Sequence, residues 1–193
     1  MADSEMTPHE TRIVRTTGST VLFGLIAIIA VIGVGSIVVG DLTLRGLAIA
    51  GIPVLLFIGA WMLYRFPRVE LRPRDIVLVN PLKTVTVPWN LVDGFDTHFG
   101  LGVETREKTF SSWPLAGRGK KMEKDAAGAR RLVDNPNPAV DGVLDHFRGL
   151  GDEQLSNPRG ERTITERWNI EVIIVLAVAI GWAIIGFTAV PSW

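Results

Sequence analysis

The chain has 193 residues, 20 basic and 20 acidic side chains and no cysteine, and 47% of it is hydrophobic. A length near 200 accommodates one or two domains. Zero net charge leaves no electrostatic footprint for nucleic acid, and without cysteine there is no disulfide, thiolate nucleophile, zinc–sulfur site or cysteine-ligated cluster.

The apolar residues are bunched. Charge is absent from the 25 residues Thr16–Gly40, the 19 residues Gly46–Tyr64 and the 22 residues Val172–Trp193. A membrane-spanning helix needs roughly 20 apolar residues, so most of the hydrophobic excess faces lipid, which excludes a soluble enzyme with one large core. After a tail over 1–19, the first span is Thr20–Gly40, whose 21 residues reach about 32 Å at ~1.5 Å per residue. Arg12 and Arg15 precede it, as in a signal peptide, but the run outlasts the ~7–15 apolar residues of a signal core and no A-x-A step follows. The second span, Gly46–Tyr64, contains Pro53, which predicts a kink. Only Asp41–Arg45 join the two, so 20–64 is an antiparallel hairpin. The third span is Val172 to Val190, within 172–193, with Trp168 and Trp193 as interfacial anchors.

Orientation follows from the basic residues. Two lie in the tail, one (Arg45) in the hairpin turn, none at the C-terminal tip and the other 17 in 65–171. The positive-inside rule predicts a plasma-membrane protein with its N-terminus and 65–171 cytoplasmic and its C-terminus outside. Arg65, Arg68, Arg72 and Arg74 after the second span, with Trp61, Tyr64 and Trp168, form the candidate lipid interface. Small residues four apart (Ser36 with Gly40, Ala177 with Gly181, Ala179 with Ala183) are spaced for close helix contact. No ionisable residue lies inside a span, which argues against a transporter or channel.

After Tyr64 the period changes from helix to strand. Val69 and Leu71 alternate with Glu70 and Arg72, Ile76–Val79 is a short apolar run, Asn80-Pro81-Leu82-Lys83 is a turn, and Val85, Val87 and Trp89 alternate with Thr84, Thr86 and Pro88. Strand-like pieces at Gly94–Phe99, Val103–Arg106 and Lys108–Trp113 complete a small antiparallel barrel or sandwich. Trp113-Pro114 ends it and carries no functional reading.

The stretch Asp75–Phe95 resembles the bacterial PH-like domain family, and more closely the small actinobacterial membrane proteins of the low-molecular-weight antigen 6 type. There two membrane helices precede a domain with a strand, a short turn, a second strand ending in Trp, and a hydrophobic-acidic-Gly step; Trp89, Val92, Asp93 and Gly94 match that step. The resemblance covers 65–115 and the helix pair. Pro88, directly before the Trp, marks a strand end or edge, and the third span exceeds the shortest members. What the resemblance implies is a fold, a cytoplasmic β PH-like barrel over 65–116 closed by a C-terminal helix, and a place at the membrane. It implies no activity.

The segment 117–150 is a predicted helical extension. Met122, Ala126, Ala129 and Val133 suggest a helix over Lys121–Val133. A sharper one follows Asn137, a good N-cap, with Pro138 at its first position and a stripe of Val140, Val143, Leu144, Phe147 and Leu150. That stripe either covers the barrel or docks a partner. Residues 151–171 form a polar linker.

Catalytic or ligand sets are sparse. His9, His98 and His146 lack metal-ligand spacing, with His146 expected at the surface. Asp93 and Asp96 are turn residues, and Gly100-Leu-Gly102 is no dinucleotide fingerprint. The expectation is a non-enzymatic protein without metal, cofactor or small-molecule substrate, whose partners are membrane lipids and another membrane protein. Its expected role is a scaffold or accessory subunit of a larger assembly, by fold-level analogy an actinobacterial respiratory supercomplex. A lipid-binding or envelope-sensing module is the alternative.

Overall fold

The computed structural model describes residues 11–40, 43–98, 100–116, 120–124, 130–134, 137–151, 155 and 163–189. The chain divides into two compact units, one of Met1–Thr16 with Arg68–Arg167 and one of Thr17–Pro67 with Trp168–Trp193.

The second unit is helical. Helix α1 is Thr17–Gly40; α2 (Leu44–Ile49) and α3 (Gly51–Ala60) form one interrupted span that ends in a π turn over Trp61–Arg65; α5 is Ile170–Ala189. Three helical stretches are long and apolar enough to cross a membrane: Thr17–Gly40, Leu44–Arg65 and Ile170–Thr188. The middle span starts at Thr43, whose Oγ1 accepts from Gly46 N at 3.2 Å. Its interruption at Ala50 follows from Pro53, which offers no N–H to the carbonyl of Ile49 and crowds it. The π turn closes through Phe66 N to Trp61 O at 2.8 Å.

Helix α3 packs on both α1 and α5, and α2 on α5. Without a hydrophobic drive between helices in lipid, close backbone approach through small residues supplies the packing. A Cβ on Gly51 would lie 2.7 Å from Trp182 Cδ1, one on Gly186 would collide with the Ala48 carbonyl, and one on Gly33 would stand 3.2 Å from Pro53 Cβ. Trp182 Nε1 donates to Leu47 O at 3.0 Å. Of the three small-residue pairs expected from spacing, Ala179 and Ala183 are buried, whereas Ser36, Gly40, Ala177 and Gly181 are exposed.

The first unit is mainly antiparallel sheet. A five-stranded sheet has the order β1-β2-β3-β4-β10, with β1 Arg12–Val14, β2 Arg68–Leu71, β3 Asp75–Val79, β4 Lys83–Pro88 and β10 Thr165–Trp168. A second sheet is β5 (Gly94–Asp96), β6 (Gly100–Glu104) and β7 (Thr109–Ala116), and β8 (Lys120–Lys124) pairs with β9 (Arg130–Asp134). Val14 pairs with Val69, Arg68 with Val79, and Val79 with Thr84, while Asp75 pairs with Pro88 at the opposite end. Pro88 therefore sits at a strand end, where its missing N–H is harmless. One face of the large sheet (Val69, Leu71, Ile76, Leu78, Val85, Val87) forms the core with Trp89, Leu101, Val103, Phe110, Leu115, Val140 and Val143. Helix α4, Pro138–Arg148, is capped by Asn137 Oδ1 accepting from Ala139 N at 3.1 Å.

Four expectations need correction. The described strands stay in three separate sheets and do not close into a barrel. Residues Arg12–Val14 are an edge strand rather than tail, and Thr165–Trp168 are the other edge rather than linker. Lys121–Val133 is no helix: its described parts belong to β8 and β9, in a register that sets Lys120 opposite Asp134, Met122 opposite Leu132 and Glu123 opposite Arg131. Trp193, Asp41 and most of 151–163 lie outside the described residues.

Candidate functional site

The arginines after the second span are spread over three elements. Arg65 ends the helical span, Arg68 opens β2, and Arg72 and Arg74 fall in the β2–β3 turn, where Arg72 N donates to Asp75 O at 2.9 Å. Four residues of strand at ~3.3 Å each carry Arg72 about 13 Å from Arg68. Arg68 Nε lies 2.7 Å from Glu70 Oε1, and Arg72 Nη2 lies 2.7 Å from Oε2. Arg68 and Arg72 thus neutralise one buried carboxylate from either side, and the backbones of Arg72 and Arg74 lie at the end of β2 opposite Arg68. Trp61 is half-buried, with its ring 5.2 Å from Phe66; Tyr64 is half-buried and Trp168 exposed.

Burial alone raises the Glu70 pKa, but the hydrogen bonds and charges of Arg72 and Arg68 outweigh it and leave the carboxyl below its ordinary 4.5. A depressed folded-state pKa contributes stability that is present above the unfolded value and is lost as pH falls through the folded one. Thermal unfolding of the full chain in detergent should therefore show a midpoint that drops below pH 4.5, and Glu70→Gln should flatten that acid limb while lowering the neutral-pH midpoint.

Trp89, Val92, Asp93 and Gly94 are structural. Trp89 is fully buried in a 3₁₀ turn (Trp89–Leu91), its Nε1 donating to Arg72 O at 2.8 Å. Val92 joins the core, Asp93 N donates to Glu104 O, and Gly94 leaves room for the Glu104 carboxylate, 3.0 Å from where a Cβ would stand. The α4 stripe lies in the same core: Val140 and Val143 have no exposed surface, and Leu144 and Phe147 pack against it. That corrects the docking alternative, because the stripe covers the unit's own sheet. His146 is half-buried rather than exposed. Its ring stands 5.6 Å from Trp89, and burial first, then the Arg12 charge, lower its pKa. The signal was its place one residue from Phe147 on an amphipathic helix.

Strand β7 packs against β2 and β3 and is tied in sequence order across one end of the five-stranded sheet. Lys108, just before it, and Lys83 both pair with Glu166 of β10. Asn80, in the β3–β4 turn, donates from Nδ2 to Ser111 O at 2.9 Å and accepts at Oδ1 from Trp113 N at 2.7 Å. Thr16 Oγ1 donates to Pro114 O at 2.7 Å. The core-facing residues are Phe110, Ser112 and Leu115, whereas Thr109, Ser111 and Trp113 face out. Trp113 is 61% exposed and Leu82, at the tip of the β3–β4 turn, 44%. Sequence reasoning missed both, though an apolar turn tip and a Trp on the outward beat of an alternating strand were visible signals.

Between α1 and α3 lies an apolar groove of about 420 Å³ lined by Ala30, Val31, Val34, Pro53 and Phe57 among others. Its lining suits hydrocarbon and offers no chemistry. Among the described residues no group of three or more His, Asp or Glu is arranged to hold a metal ion. No family model, curated protein or solved structure matches the chain.

Proposed function

We propose that this is a non-enzymatic membrane scaffold, an accessory subunit of a larger membrane assembly, whose β unit is a PH-like variant held at the cytoplasmic leaflet. One observation carries the reading. β1, β2 and β10, which directly precede α1, follow the second span and precede α5, belong to one hydrogen-bonded sheet. All three chain connections to the apolar helices therefore leave a single β unit, and the three segments share one side of any membrane those helices cross. The concentration of Lys and Arg in 65–171 assigns that side to the cytoplasm. Two successive three-strand antiparallel runs (β2–β4 and β5–β7), followed by a helix over Trp89, support the PH-like reading.

Partner helices are suggested by what the bundle leaves open. A Cβ on Gly24, Gly35, Gly40, Gly59 or Gly181 would meet nothing within 4 Å, and a glycine facing lipid gains packing only when another helix approaches. Affinity purification of the full chain from its own membranes in digitonin should bring down a fixed set of membrane subunits, a respiratory supercomplex being the first to look for. Recovery with phospholipid alone would overturn the reading in favour of a lipid-binding module. Gly181→Leu or Ser36→Leu should deplete the co-purified subunits several-fold without altering insertion, since both positions are exposed on the bundle.

A further inference from the structure

We propose that the crossing strand β7 and the β3–β4 turn form a lipid-interface seat, in which Leu82 and Trp113 enter the boundary between headgroups and acyl chains. This needs only the membrane placement of the helices, and stands whether or not a protein partner exists.

The argument starts from where the chain leaves the β unit. Strand β1 runs toward Thr16, which immediately precedes α1, and β2 begins at Arg68, immediately after the second span. Val14 pairs with Val69, so these two exits are neighbours at one end of the sheet. The β3–β4 turn lies at that same end, because Val79 pairs with Arg68 on one side and Thr84 on the other. The third exit is the end of β10 at Trp168, two residues before α5. The first two exits lie at that end, each joined to its apolar helix by only two residues, so it is the end of the sheet that those helices tie to a bilayer.

Strand β7 lies across that end. Its tethers run from Glu166 of β10, through Asn80 at the β3–β4 turn, to Thr16 at the β1 exit. Asn80 acts as a surrogate strand, meeting β7 at both Ser111 and Trp113, and so fixes the turn tip beside the outward row. That row and the tip present Trp113 and Leu82 to the outside. An exposed Trp and an exposed Leu on segments tied by Asn80 suit the headgroup boundary, where an indole ring has both an apolar body and a polar N–H. The nearest cations do not explain the placement by charge, since Lys83 and Lys108 both engage Glu166. The seat should therefore act through apolar and aromatic insertion, with little dependence on anionic lipid.

The chain's lack of cysteine makes the test direct. Single substitutions Leu82→Cys, Trp113→Cys and, as a control, Asn90→Cys are labelled with an environment-sensitive NBD fluorophore in the full chain, reconstituted in nanodiscs of phosphatidylcholine alone and of phosphatidylcholine with phosphatidylglycerol. Asn90 is exposed and follows Pro88, at the opposite end of β4. The expected result is blue-shifted emission at 82 and 113, several-fold stronger quenching by lipids with a shallow doxyl group than at 90, and protection from aqueous iodide. Leu82→Cys alone decides the matter should Trp113→Cys fail to fold. Equal lipid quenching at 82 and 90 would overturn the proposal. So would a blue shift without lipid quenching, which would place protein there, or quenching that appears only with anionic lipid, which would assign the contact to cations.

Discussion

Replacing Trp89 with alanine is expected to unfold the β unit while the three apolar helices remain folded. The indole is fully buried at the centre of the core, flanked by His146 at 5.6 Å and Phe147 at 5.9 Å on α4. Removing a large buried aromatic costs about 3–5 kcal/mol, and losing the Nε1–H donor orphans the Arg72 carbonyl, at about 1–3 kcal/mol more. A typical domain has only about 5–15 kcal/mol in total. Trp89→Phe keeps most of the volume and the contacts with α4 but not the hydrogen bond, so it should cost about 1–2 kcal/mol. Peptide-resolved hydrogen exchange on the full chain in detergent checks this. In the alanine variant, protection should collapse across 68–104 and 138–148 and persist in α1, α3 and α5. An alanine variant as protected as the parent would show that α4 and the sheet do not depend on this contact.

The parts of this architecture legible in the sequence were those set by local pattern. Charge-free runs located the helices to within a few residues, period-two alternation found β2 and β4, a short apolar run found β3, and the Asn137-Pro138 cap located α4, because each is decided by residues within one element. What stayed hidden depends on pairing across distance. Arg12–Val14 has three residues and no alternation of its own; it becomes a strand only because β2 offers a free edge 57 residues later. Thr165–Trp168 is as polar as a linker and is recruited by β4. Arg68 and Arg72 show the same limit in another way: their spacing from Glu70 is visible in the sequence, but not that both guanidiniums turn onto its buried carboxylate. The β3–β4 turn that carries Leu82 is tied to the strand that carries Trp113 through the side chain of Asn80, 31 and 33 residues away in sequence.

In the helical unit the smallest possible substitution should have the opposite sign at different glycines. Glycine to alanine in a helix ordinarily gains up to ~1 kcal/mol from propensity. At Gly181, where a Cβ meets nothing within 4 Å, Gly181→Ala should be neutral or slightly stabilising. At Gly186 the same methyl would run into the Ala48 carbonyl, and at Gly51 it would lie 2.7 Å from Trp182 Cδ1 and 2.8 Å from the Trp182 carbonyl carbon. Backbone atoms cannot rotate aside as a flexible side chain can, so α5 must shift away from α2 and α3. That shift breaks the Trp182 Nε1 bond to Leu47 O, and in lipid no hydrophobic drive restores the contact. Overpacking of this kind costs about 1–3 kcal/mol, more than the propensity gain, so Gly51→Ala and Gly186→Ala should each lower the midpoint of SDS denaturation in mixed micelles. A Gly186→Ala midpoint at or above that of Gly181→Ala would mean that α5 does not pack on α2 through this glycine. The expected order, Gly186→Ala and Gly51→Ala below the parent and Gly181→Ala at or above it, follows from close contact alone, because propensity favours alanine at all three.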